Sequence, residues 1–230
     1  MNEIVKIKIN NLNKCLTNHL IEHVKNKKVL LDLSGGHDTR VNLSILLKNS
    51  IPFEAITYDL SYGDIKIASK ICKKFGIRQH ITTRDNVRAV KNKIKWDINI
   101  CGAGYSEWMC VLHKMNKSMK QIEEHNNIKK RFKDRQINTD ICYTPMIEDD
   151  VINIIKEIPI CYLAGGYIQK NLIALNYPDL LKFPFTYYDF RHLLMNKLHR
   201  HIIDLLYKSY YVGVCNNPYE DKRVKDKKHD

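Results

Sequence analysis

Apolar positions near the start of the chain fall at helical spacing: Leu12, Leu16, Leu20, Ile21 and Val24 share one face, with lysines on the other. This pattern predicts a helix within residues 1–27. The period then changes. Residues 28–33 form a short apolar run, a predicted strand that stops at Gly35-Gly36. A helix is expected over 41–48, and Pro52 opens a second strand over 53–58. Residues 64–75 return to helical spacing, with Ile65, Ala68, Ile71, Cys72 and Phe75 on one face and Gly76 as the stop. A third strand is expected over 77–82 and a fourth over 96–101, the latter running into the turn Gly102-Ala103-Gly104. From 114 to 140 the chain is strongly polar and reads as a solvated helix or loop. Helices are expected over 151–158, ending at Pro159, and over 169–175 and 192–207.

Strands and helices alternating at these lengths predict an α/β fold: a doubly wound parallel sheet, followed by a helical C-terminal half. The expected organisation is an α/β core over 1–112, a polar insertion or loop over 113–140, a helical part over 141–220 and a charged tail over 221–230. In such sheets ligands sit outside the carboxyl ends of the strands. Residues 34–39 fall at that position after the first strand.

Composition narrows the classes. Hydrophobic residues at 44% and charged residues at 27% describe an ordinary globular chain. No apolar run approaches the roughly 18 residues of a membrane span, and the first residues lack the basic-then-apolar layout of a secretory signal. The seven cysteines are odd in number and contain no C-x-x-C pair, which argues against a disulfide framework and a zinc site and for a reducing, cytoplasmic setting. No spaced metal motif is visible among the ten histidines. The net charge of +13 would suit a nucleic-acid partner, but the crowding of Ile and Asn points instead to codon bias. Nucleic acid is therefore a secondary expectation.

The candidate chemistry lies in Leu33-Ser34-Gly35-Gly36-His37-Asp38-Thr39-Arg40. Two glycines let the backbone approach a polyanion closely. Their amides and the following helix start form a nest of donors suited to phosphate. The hydroxyls of Ser34 and Thr39 flank the nest, and Asp38 is a carboxylate able to hold Mg²⁺. A plain turn is the competing reading of Ser-Gly-Gly alone.

These residues resemble the S-G-G-x-D-S motif of PP-loop (N-type) ATP pyrophosphatases, with Thr39 as the final hydroxyl. The following Arg40 brings the resemblance closest to the synthetase domain of the asparagine synthase family. Residues 53–58 and 64–68 resemble that family's second strand and acidic-led helix, and Cys101-Gly102-Ala103-Gly104-Tyr105-Ser106-Glu107 resembles its pyrophosphate loop. Thr144-Pro145 to Asp150, then Ile158-Pro159, resemble later family segments, and Lys170 falls near a lysine that contacts ATP phosphates there. The resemblance implies a HUP-like (adenine nucleotide alpha hydrolase-like) fold, ATP and Mg²⁺ as cofactors, and an acyl-adenylate formed with release of pyrophosphate. It further implies adenine against the backbone of Leu31–Leu33 and Ile56–Tyr58, phosphates on Ser34, Gly35, Gly36, His37, Asp38, Thr39, Gly102 and Gly104, metal on Asp38 and Glu107, and catalytic roles for Lys170 and Glu107. The partner would be a small-molecule carboxylate or amine acceptor.

Two departures matter. Ser106 replaces an aspartate of the family's metal pair, and Ala103 replaces the glutamate held between the glycines by asparagine synthetases. Position 2 is Asn2, so no glutaminase half is expected. These departures keep open a catalytically degenerate ATP-binding or scaffold protein of the same fold. A PP-loop RNA-modifying enzyme is the other alternative.

Overall fold

The computed structural model describes residues 3–59, 62–83, 86–105, 141–158, 162 and 166–185. The helix expected over 192–207, the polar stretch over 114–140 and the charged tail lie outside the described residues.

Among the described residues, six helices and five strands follow in order: α1 (Glu3–Val24), β1 (Val29–Asp32), α2 (Asp38–Lys48), β2 (Phe53–Tyr58), α3 (Tyr62–Phe75), β3 (Gln79–Thr82), α4 (Val87–Ile94), β4 (Ile98–Ile100), β5 (Cys142–Tyr143), α5 (Asp149–Lys156) and α6 (Tyr167–Asn176). Short 3₁₀ turns at Pro145–Ile147 and Pro178–Lys182 lead into α5 and follow α6. The strands form one sheet in the order β3-β2-β1-β4-β5, and every pairing is parallel.

The expected strands form where the apolar runs lie. β1 carries the continuous run because it is central: Val29, Leu30 and Leu31 are all buried, as a strand covered on both faces requires. Thr57 of β2 accepts from the side-chain amide of Gln79 of β3, whose Oε1 accepts from Ser69, so α3 lies on the Thr57 face. Asp32 pairs in register with Ile56 and therefore points to the opposite face. There it meets Lys91 of α4. Helices on both faces make this a doubly wound α/β sheet.

α1 buries Val5, Ile9, Leu12, Leu16, Leu20 and Val24, a stripe at spacings of three and four. The stripe packs against α5, α6 and α2. Asn13 and Asn176 exchange amide hydrogen bonds across this junction, at 3.3 and 2.6 Å. His23 stacks on Tyr143 with ring centroids 3.6 Å apart.

Two elements escaped the pattern. α4 is a short helix rich in lysine, with no apolar stripe long enough to stand out. β5 is two residues long, too short for any period to register, and it lies in the stretch read from sequence as helical. It joins the sheet because Asn99 and Cys101 donate to the carbonyls of Ile141 and Tyr143 at 2.7 and 3.0 Å.

Candidate functional site

The chain runs outward from β1 to β2 and β3, then returns through α4 to place β4 on the other side of β1. The carboxyl ends of β1 and β4 therefore flank the point where strand order reverses, the crevice in which such sheets bind ligands. Two loops meet there: Leu33 to His37 after β1, and Cys101 to Gly104 after β4. They touch. A methyl group added at Gly102 would lie 2.8 Å from Thr39 Cγ2 and 2.9 Å from the Thr39 amide nitrogen. Gly102 is thus required by close approach of the two loops.

The first loop is knotted by its own hydroxyls. The Ser34 amide donates to Thr39 Oγ1 at 3.1 Å, the two hydroxyl oxygens lie 3.2 Å apart, and the Gly36 amide donates to Ser34 Oγ at 3.1 Å. The Gly35 amide donates to Asp64 Oδ1 at 2.8 Å. A carboxylate oxygen is therefore held by one amide of the loop, while the Ser34 and Gly36 amides turn to hydroxyl oxygens. α2 begins at Asp38, immediately after the loop, so Asp38, Thr39 and Arg40 form its first turn, at the positive end of the helix dipole. Asp38 accepts from Gln169 Nε2 at 3.4 Å.

Arg40 does not face the loop's open side. Its guanidinium is fully buried and donates to four carbonyls: Gly35 at 2.9 Å, Pro184 at 2.8 Å, Phe183 at 3.0 Å and Leu180 at 3.3 Å. It also lies 3.9 Å above the Phe185 ring. Burial lowers its pKa to about 9, which leaves it charged at neutral pH. The glycine loop is in this way tied to residues 180–185.

His37 stacks on Phe185, with centroids 3.8 Å apart and planes 15° from parallel. Burial, then the charges of Lys170 and Arg40, push its pKa down to about 3, so the ring is neutral. Gly166, with φ of +69°, brings its backbone to within about a methyl contact of the same ring. Lys170 comes from α6, with its ammonium 5.9 Å from the Phe185 centroid and within electrostatic reach of His37.

The second loop is anchored from below. The Cys101 carbonyl accepts from Asn42 at 2.9 Å, Asn42 accepts from the Tyr105 hydroxyl at 2.6 Å, and the Ala103 carbonyl accepts from Thr144 at 2.8 Å. Tyr105 is fully buried and held protonated by burial and by the nearby Asp38. It is a structural strut, not a group exposed to a ligand. Gly104 takes φ of +93°, a conformation open to glycine.

The sequence-expected residues divide as follows. Ser34, Gly35, Gly36, His37, Asp38, Thr39, Gly102, Gly104 and Lys170 come from four elements and converge on this crevice. Leu33 is a core residue whose amide donates to Ile56 at 2.8 Å and whose carbonyl accepts from Thr57 at 2.9 Å. Tyr58 donates to Asp32 Oδ1 at 2.9 Å on the far face of the sheet. Glu107 and Ser106 lie outside the described residues. Asp64, Asn42 and Phe185 touch the loops and Gln169 touches Asp38 at the start of α2, yet of these four only Asp64, as the acidic start of a helix, carries a signal in the sequence.

A cleft of about 510 Å³ opens between the ends of β2 and β3 and the start of α4, lined by Asp59, Thr82, Thr83, Asn86 and Lys93 among others. On the far face, parallel register sets the thiols of Cys101 and Cys142 against one another beside Asp32, a pairing that no sequence spacing reveals. Their mutual hydrogen bond raises the pKa of Cys101 and lowers that of Cys142.

Fold and site together define a doubly wound α/β protein with a glycine-rich loop at the switch point of its sheet. No protein-family model matches the chain, and no curated protein matches it. Among solved structures, the chain is similar to NMN synthetase from Francisella tularensis, at 14% identity and a TM-score of 0.31, over 74% of this chain and 85% of that one. No helix among the described residues is long and apolar enough to cross a membrane.

Proposed function

We propose that the protein binds ATP with its phosphates on Ser34 to Thr39 and acts as an adenylating ligase of the asparagine-synthase-like type. The observation that carries this reading is the Asp64 carboxylate on the Gly35 amide, 2.8 Å away: the loop accepts an anion, at the carboxyl end of the central strand. A triphosphate would displace that carboxylate, or share it through Mg²⁺. Neighbouring strands lie about 4.8 Å apart, so the cleft at the ends of β2 and β3 begins within a nucleotide's length of the loop and is the place for the nucleoside.

In this reading a substrate carboxylate attacks the α-phosphorus, an acyl-adenylate forms and pyrophosphate leaves. Negative charge grows on the leaving group, so the Gly35 amide freed from Asp64, the start of α2 and the Lys170 ammonium stabilise it more in the transition state than in the ground state. Asp38, with Asp64 beside the loop and Glu107 beyond the described residues, offers oxygen ligands of the kind Mg²⁺ takes. An amine acceptor then displaces AMP.

The test is product analysis. Mg·ATP incubated with pools of amino and sugar acids should give AMP and pyrophosphate, and Gly36→Val and Asp38→Ala should lose nucleotide binding while remaining folded. ADP and inorganic phosphate as sole products, or undiminished ATP affinity in both variants, would overturn it. Tight ATP binding with no turnover would favour the non-catalytic scaffold, the reading to which Ser106 and Ala103 lend weight.

A further inference from the structure

Cys15 and His19 lie four residues apart on α1, so their side chains leave the same face one turn apart. Asp150, in the first turn of α5, rises against both. Cys15 Sγ lies 3.1 Å from Asp150 Oδ2, and His19 Nε2 lies 2.9 and 2.8 Å from the two carboxylate oxygens. The three ligand-type atoms all fall within 4.8 Å of one another. Cys15 and His19 are half-buried while Asp150 is exposed, so the cluster is walled by protein on one side and open to solvent on the other.

We propose that Cys15, His19 and Asp150 form a binding site for a divalent transition cation, zinc by preference, with water in the fourth position. The ligand set decides the metal class. A thiolate and an imidazole suit zinc, whereas magnesium and calcium require several oxygens and find one carboxylate here. The spacing also fits. Around a tetrahedral zinc with bonds of about 2.0–2.3 Å, ligand atoms stand about 3.3–3.7 Å apart. The contacts to Asp150 need open by only about half an ångström, with Asp150 giving up one of its two contacts to His19, and Cys15 and His19, within 4.8 Å of one another, settle to the same spacing.

The electrostatics lean the same way. The Asp150 and Glu148 carboxylates lie close enough to act electrostatically on the Cys15 sulfur, so a cation seated between the three side chains meets negative charge. On binding, Cys15 gives its proton to solvent and enters as thiolate. The cation would pin α1 to α5, two helices far apart in sequence whose apolar faces share one core.

The test uses the full chain, dialysed against chelator and titrated with zinc alone against a chromogenic zinc indicator. One equivalent should bind. Cys15→Ser and Asp150→Asn should each weaken it by more than about a hundredfold, since even outer-shell partners of a metal are worth about 10–100-fold. Cobalt(II) should give a thiolate-to-metal charge-transfer band in wild type and in the control Cys142→Ser, but not in Cys15→Ser. Asp150→Asn keeps the side chain's size and one hydrogen-bonding oxygen, so it reads the site even where Cys15→Ser fails to fold. Zinc uptake unchanged in both variants, or none in wild type, would show that the cluster is a plain hydrogen-bonded tie between helices.

Discussion

Arg40→Lys is the substitution that most sharply separates the structure from the motif. A basic residue next to a glycine loop invites the expectation that it grips phosphate. The structure instead turns the guanidinium inward to four main-chain carbonyls on two segments about 140 residues apart. A planar fork with two terminal nitrogens reaches all four, whereas a single ammonium reaches the partners of one nitrogen. Two bonds to a charged donor are then lost, at about 1.5–3 kcal/mol each. Water can reach Phe183 and Pro184 in part, so the net loss should be about 2–4 kcal/mol. With a urea m-value of about 2–3 kcal/mol/M, the unfolding midpoint should fall by about 1 M. Because the side chain faces away from the open side of the loop, ATP affinity of the folded variant should change little. Equilibrium urea unfolding together with a nucleotide-binding isotherm decides the matter. A midpoint unchanged from wild type, with ATP affinity lost, would refute the inward assignment and return Arg40 to the ligand.

Further expectations follow from the same neighbourhood. Gly102→Ala pushes a methyl to 2.8 Å from Thr39 Cγ2, so the two loops must part; a stability loss of about 1–3 kcal/mol and weaker ATP binding should appear together in thermal melts and isotherms. His37 is neutral in the fold at a pKa of about 3 against 6.5 when unfolded, so the unfolded chain binds the extra proton between those values. Its contribution is therefore complete above pH 6.5 and is lost as pH falls toward 3, with a ceiling of about 5 kcal/mol. Between pH 6.5 and 5, wild type should lose up to about 2 kcal/mol more stability than His37→Gln, and parallel pH profiles would contradict the burial argument. Gly166→Ala should cost at least about 1 kcal/mol, because φ of +69° is strained for alanine, measured as a fall in Tm. Asp64→Asn removes the charge seated on the Gly35 amide; if that carboxylate competes with phosphate, ATP should bind more tightly without Mg²⁺, which an isotherm in chelator would show.

What the sequence by itself determined is the part governed by local pattern. The apolar run of β1, the glycine stop and the stripe on α1 each encode their element within a few residues, because strand and helix periods are short. The order of those elements implied a parallel doubly wound sheet, and Ser34 to Thr39 stood out because two glycines and two hydroxyls lie between a strand and a helix. β5 was beyond reach: two residues carry no period, and Cys142–Tyr143 becomes a strand only because β4 offers an unpaired edge. The same holds for every relation set by the fold. That Arg40 turns toward Leu180 and Pro184, that Asp64 sits on Gly35, that Cys101 meets Cys142, and that Cys15 and His19 meet Asp150 are decided by which faces the apolar stripes bury against one another. Side chains distant in sequence come together only after that burial has fixed the helices on the sheet, so their chemistry is a property of the packing and has no local signature.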